Sequence, residues 1–216
     1  MASVLITGFE PYAGLASNPS AEIAAALDGM EISGCKIVGR LLPVDFARYH
    51  DRLKALLDEV APALYIGFGL AMGEDMIRIE RFGVNLADFD IPDNAGASPR
   101  GRAIEPEGPD ARASTLPSAA IRAALLEAGI PARFSNSAGS YLCNATLYSA
   151  LGLCAARGTP CGFIHLPYAS EQVAALLREG NGPLNGESAA PSLPIEMMVA
   201  AAEIVLQVSA AGLPTA

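Results

Sequence analysis

Cys143 stands in SNSAGSYLCN, after a predicted strand and a glycine and at the start of a predicted helix. Unsatisfied N–H groups at a helix N-terminus stabilise a thiolate and lower the pKa of a cysteine placed there; the same groups could hold the oxyanion of a tetrahedral intermediate. His165 ends the apolar run GFIHLP, and the Leu-Pro that follows turns the chain away. Its imidazole is therefore expected at the carboxyl edge of the sheet, where open α/β sheets bind ligands. A thiol there needs a base to form thiolate and an acid to protonate a leaving amine, and histidine titrates in the range that serves both. Against this, most free cysteines are small buried hydrophobes, and a strand-end histidine can be a satisfied rim residue. Residue type and place alone leave both readings open. Cys35, Cys154 and Cys161 show nothing beyond the buried-hydrophobe reading.

Other residues point less clearly to chemistry. Glu80 lies in IRIERFGVN between Arg78 and Arg81, where it reads as one of several exposed charges in a local ion-pair cluster. Asp88, Asp90 and Asp93 miss the calcium-loop spacing, so an Asp-rich turn is the simpler expectation. The four cysteines form no CxxC pair, and the two histidines complete no zinc spacing, so neither a disulfide framework nor a metal is indicated. His50 flanks the apolar face of its helix and reads as a surface residue.

These residues need a scaffold. Val4–Thr7, Lys36–Pro43, Ala63–Gly69, Met76–Val84, Ala132–Asn136 and Cys161–His165 read as strands, with the charged Met76–Val84 expected to be less buried. Helices are predicted after Asn18-Pro19, from Asp45 to Val60, over Pro117–Gly129 and over Leu142–Arg157, with a buried one over Ile195–Val208. Pro92–Ser114 is rich in Pro, Gly and Asp and reads as a long, functional loop. The alternation predicts an α/β fold: a three-layer α/β/α sandwich around a mostly parallel, twisted sheet, formed as a single domain over residues 1–216. A chain this apolar, 51% hydrophobic and only 17% charged, can offset its ordering entropy by burial. The net charge of -9 argues against nucleic acid and anionic membranes as partners. MASVLITGF has no signal-peptide layout, and the apolar C-terminal segment is too short to span a bilayer, so a cytoplasmic protein with reduced thiols is expected.

Read together, TGFEPYAGLASNPS, IERFGVN with IPDNAG, STLPSAAI, SNSAGSYLCN and GFIHLPYASEQ resemble the pyroglutamyl peptidase type I family of cysteine peptidases, in the family's order, from the first strand to about residue 172. The resemblance implies Cys143 as nucleophile, His165 as general base and then acid, and Glu80 as the carboxylate that orients the imidazole. It implies removal of an N-terminal pyroglutamyl residue from peptides through a thioester, with no metal or organic cofactor, by a homo-oligomer, a tetramer or a dimer. The lactam ring would need an apolar pocket with a few hydrogen bonds. Phe9 and Tyr12 resemble the family's aromatic pair, Asn18 resembles its loop asparagine, and Tyr141, Leu142 and Ile91 would finish the wall. Phe9 and Tyr12 also fit a simple cover for the core, and Asn18 fits a helix cap.

Four positions depart from the family pattern. Asp90 occupies a place where many bacterial members carry arginine, and a negative charge near a developing oxyanion would raise the barrier unless it points away. Leu70 stands at the position of a glutamine and Glu74 at that of an arginine, while Leu15 replaces an aromatic residue. A hydrolase with the same triad but another N-acyl or lactam specificity, and a non-catalytic binding homologue, are the competing readings. Retention of Cys, His and Glu in these contexts disfavours the second of these.

Overall fold

The computed structural model describes residues 1–180 and 190–213. In chain order the elements are β1 (Ala2–Phe9), α1 (Pro19–Leu27), β2 (Glu31–Ile32), β3 (Cys35–Leu42), α2 (Tyr49–Val60), β4 (Leu64–Leu70), β5 (Ile77–Glu80) and β6 (Phe82–Val84). They continue with β7 (Ala111–Ala113), α3 (Ser118–Glu127), β8 (Ala132–Ser135), α4 (Leu142–Ala155), β9 (Cys161–Leu166), β10 (Tyr168–Ala169), α5 (Ser170–Arg178), β11 (Ser192–Leu193) and α6 (Ile195–Ala210).

Seven strands form the main sheet in the order β2-β3-β1-β4-β9-β5-β8. The strands β3, β1, β4 and β9 run parallel, and β5 reverses direction against β9 while pairing parallel with β8. Alternation along each strand sorts side chains between two apolar layers. Val4, Ile6, Ile66, Phe68 and Ile164 pack with α1, α3 and α6 on one face. Leu5, Tyr65 and Phe163 pack with α2 and α4 on the other, which completes the expected α/β/α sandwich. Among the described residues, no helix is long and apolar enough to cross a membrane.

The segment Met76–Val84 departs from expectation. It breaks at Arg81 into β5, buried inside the main sheet, and β6, which leaves to pair with β7. The strand's charges misled the burial estimate, because Ile77 and Ile79 point into one apolar layer while Arg78 and Glu80 share the opposite face. The long segment after Pro92 is likewise more ordered than a loop, since it contains β7 and an isolated bridge from Arg102 to Ala87. Helix α2 begins at Tyr49, four residues later than expected, because the Asp45 carbonyl accepts from both Arg48 and Tyr49 in a turn that precedes it. The short strands β2, β10 and β11 and the helix α5 carried no clear sequence signal.

Candidate active site

The reversal of β5 sets the geometry of the site. Antiparallel pairing puts Arg78 opposite His165 and Glu80 opposite Phe163, all on the α4 face of the sheet. From that diagonal position Oε1 of Glu80 lies 2.8 Å from Nδ1 of His165. Both side chains are buried, Glu80 at 0% and His165 at 4% exposure, so the exposed-charge reading of Glu80 fails. The His165 ring also meets Phe163 edge-on, with centroids 5.0 Å apart.

Cys143 approaches from the first turn of α4. A Cβ built on Gly69 would sit 2.8 Å from its Sγ, and Gly69 is the register partner of His165 across β4 and β9. The thiol therefore rests on the strand beside the imidazole, in space that any larger residue at 69 would fill. No side chain caps α4, whose N-cap is Tyr141, so the N–H groups of its first turn have no intrahelical partner. The expected lowering of the thiol pKa is not found. Burial pushes the Cys143 thiol up to about 12, the Glu80 charge adds to the rise, and Arg78 and the cysteine's own N–H only partly offset it. Cys35, Cys154 and Cys161 lie in the core, as expected.

Next to Cys143 is a small hollow lined by Phe9, Tyr12, Asn18, Val44, Leu70, Tyr141 and Leu142. Six of these residues were expected from the sequence; Val44, just past β3, carried no signal. Tyr12 and Tyr141 stack at 5.8 Å, and Phe89 supports Tyr141 from behind at 4.4 Å. Burial raises the pKa of both tyrosines, so they remain neutral phenols. Asn18 lines the hollow and is also the helix cap: its Oδ1 accepts from the Ser20 amide at 3.1 Å, and its Nδ2 donates to the Glu10 carbonyl at 3.1 Å. Ile91 stands apart from the hollow and is 39% exposed. A wider hollow of about 590 Å³ opens between α2 and α4, but neither Cys143 nor His165 reaches it.

The Asp-rich stretch forms turns that brace this wall. Asp93 accepts from the amides of Phe46, Ala95 and Ala97, and Nδ2 of Asn94 donates to the Pro11 carbonyl at 2.9 Å, beside Tyr12. Asp90 points into solvent, 98% exposed, with Nη1 of Arg100 at 3.5 Å. Glu74 accepts from Arg78 at 2.8 Å and from Arg133 at 2.5 Å, and these arginines hold its pKa below the usual carboxylate value although burial works the other way. Among the described residues, no group of three or more His, Cys, Asp or Glu side chains is placed to hold a metal ion.

Comparison with known proteins matches this architecture throughout. The pyrrolidone-carboxylate peptidase of Pyrococcus furiosus is 42% identical over 208 residues, covering 95% of this chain and 97% of the relative. That of Deinococcus radiodurans is 44% identical over 188 residues, covering 85% and 86%. A crystal structure of a mutant pyrrolidone carboxyl peptidase from P. furiosus superposes with a TM-score of 0.92 at 40% identity, covering 98% of this chain and 100% of that one. The enzyme from Thermococcus litoralis gives 0.91 at 39% identity, covering 97% and 93%. The profile of the family described as pyroglutamyl peptidase matches residues 2–211, well beyond the 172 or so over which the motifs were legible. With the fold, the length and the family profile in agreement, the chain belongs to the pyroglutamyl peptidase family.

Proposed function

We propose that this protein hydrolyses the bond after an N-terminal pyroglutamyl residue, with Cys143 as nucleophile, His165 as base and acid, and Glu80 orienting the imidazole. The observation that carries the reading is the convergence of three elements: Cys143 lies against Gly69, beside a histidine whose Nδ1 is taken by a buried carboxylate at 2.8 Å. With Nδ1–H donated to Glu80, Nε2 is left to exchange a proton with the thiol. Because the thiol holds its proton tightly, transfer to Nε2 accompanies attack of Sγ on the pyroglutamyl carbonyl carbon. The oxyanion forms at the uncapped first turn of α4, whose N–H groups can stabilise it. Collapse breaks the C–N bond, and the imidazolium gives its proton to the leaving amine. Water then attacks the thioester, His165 takes the water's proton, and Cys143 leaves carrying it.

The hollow suits a small uncharged ring, with stacked aromatic residues on one side and Leu70 on another. Asp90 is turned to solvent and so does not oppose the oxyanion. Release of a fluorescent amine from its pyroglutamyl amide, compared with a Cys143→Ala protein, tests the reading. Turnover lost in the mutant supports it, and no turnover by folded wild type rejects it. The second reading, an altered lactam or N-acyl specificity, is favoured by the apolar Leu70 lining the hollow, at the place where the resembled family pattern has glutamine. A panel of N-acyl amides separates the two readings, because the second requires another acyl group to outcompete pyroglutamyl.

A further inference from the structure

We propose that Arg78 is a positioning residue for the Glu80–His165 pair, a role that rests on the triad reading above. Its Nε makes an ion-pair contact of 3.1 Å with the same Oε1 of Glu80 that meets Nδ1 of His165. Oε2 of Glu80 and Nε of Arg78 are both buried without a hydrogen-bond partner among the described residues, so arginine and glutamate meet here as charges and not through a hydrogen bond. Whenever the imidazole is neutral it brings Glu80 no counter-charge, and the guanidinium is then the cation in contact with this buried side chain. A charge so deeply buried is costly unless it is paired.

The arginine is itself fixed. Its Nη1 donates to Glu74 at 2.8 Å, and its Nη2 donates to Oγ of Ser135 at 2.7 Å and to the carbonyl of Ser137. These anchors come from the turn before β5 and from the end of β8, so the fork spans the two segments flanking the reversed strand. Glu74 is held in turn by Arg133 at 2.5 Å. Glu74, one of the departures from the resembled family pattern, thus has a definite job in this chain: it orients Arg78. The charged and titratable groups around the pair are Arg78 and Glu74 from the β5 side, Arg133 from β8 and Cys143 from α4, with Tyr12 beyond it on the far side of the thiol. Arg78 and Glu80 act on the thiol in opposite senses, the arginine favouring thiolate and the glutamate disfavouring it. The arginine therefore lets Glu80 hold the imidazole without its full charge opposing the nucleophile.

Only two histidines are present, so the titration of His165 can be followed by NMR without reference to any substrate. Replacing Arg78 with Met removes the cation and strengthens the hold of Glu80 on the imidazole proton. The His165 midpoint in Arg78→Met is expected to move up by about one pH unit. The acid limb of kcat/KM should move with it, kcat should fall about tenfold, and KM should change little. Arg78→Lys should restore most of the midpoint while recovering less of the rate, because lysine lacks the fork that reaches both strands. An unmoved His165 midpoint in a folded Arg78→Met protein overturns the proposal, as does Arg78→Lys behaving like Arg78→Met. If Arg78→Met does not fold, Arg78→Gln decides, with the same upward shift expected and no shift overturning the role. Failure of the triad reading shows separately, as turnover that survives Cys143→Ala.

Discussion

Nδ1 of His165 and Oε1 of Glu80 lie 2.8 Å apart in a site where both side chains are almost wholly removed from water. A carboxylate in that place fixes the tautomer, leaving Nε2 without a proton, and stabilises the imidazolium that forms during attack. Glu80→Gln keeps the shape and removes the charge. Its amide can present N–H to Nδ1, which would place the imidazole proton on the wrong nitrogen. The expected result is a fall in kcat of about 10² to 10⁴ with KM little changed, read from steady-state kinetics on a pyroglutamyl amide. A loss confined to KM would show that Glu80 serves binding and not proton transfer.

The thiol itself gives a second prediction, with a definite sign. Burial raises the Cys143 pKa to about 12, so the thiolate is the minor form throughout the neutral range. Thiolate absorbance near 240 nm, taken as the difference between wild type and Cys143→Ala, should stay flat through neutrality and grow only on the alkaline side of an ordinary thiol's titration. Iodoacetamide at neutral pH should likewise label Cys143 more slowly than a cysteine in an unfolded peptide. A titration step in the acid range that disappears in His165→Ala would instead show a resting thiolate–imidazolium pair.

Much of this site could be read from the sequence, for identifiable reasons. Cys143 and His165 sit at junctions between elements, where strand and helix periodicities stop, and such junctions are visible in one chain. The parallel strands announce themselves as continuous apolar runs, ALYIGFG above all. Glu80 and Arg78 were harder, because local sequence presents them as charges in a polar stretch. Their burial depends on β5 entering the sheet antiparallel between β9 and β8, a long-range pairing that no window of sequence reports. Val44 and Phe89 escaped notice for the same reason, and the helix-terminus argument for a lowered thiol pKa failed because it omitted the cost of burial.

Gly69 is where the sheet makes room for chemistry. A methyl group there would lie 2.8 Å from Sγ of Cys143 and 2.8 Å from Cζ of Phe163, closer than packed atoms tolerate. Gly69→Ala should therefore displace Cys143 or the ring on which His165 leans. A displacement on the order of 1 Å is expected to cost about 10² in kcat/KM, while overpacking lowers stability by about 1 to 3 kcal/mol. Thermal denaturation beside kinetics checks both. Full activity in the alanine protein would mean that Cys143 reacts from another position.

Asn144 follows Cys143 directly, and its side chain ties α4 to the β6 ribbon. Oδ1 accepts from the Val84 amide at 2.9 Å, and Nδ2 donates to the carbonyls of Val84 and Leu86, each at 2.9 Å. The residue is fully buried, so truncation takes the side-chain partner from the Val84 amide and the Leu86 carbonyl, while the Val84 carbonyl keeps the Leu86 amide. Close packing of Gly83 on Tyr148 depends on the same docking, since a Cβ at 83 would lie 2.8 Å from the Tyr148 amide. Asn144→Ala is expected to lose about 2 to 4 kcal/mol of stability. Because α4 carries Cys143, kcat should also fall in the fraction that remains folded, as the first turn loses its fixed register. Asn144→Asp keeps the acceptor and loses both donations, and should fall between alanine and wild type when its denaturant midpoint is measured near neutral pH. Equal midpoints for Asn144→Ala and wild type would show that the β6 ribbon docks without this side chain, and that α4 is registered by its apolar contacts alone.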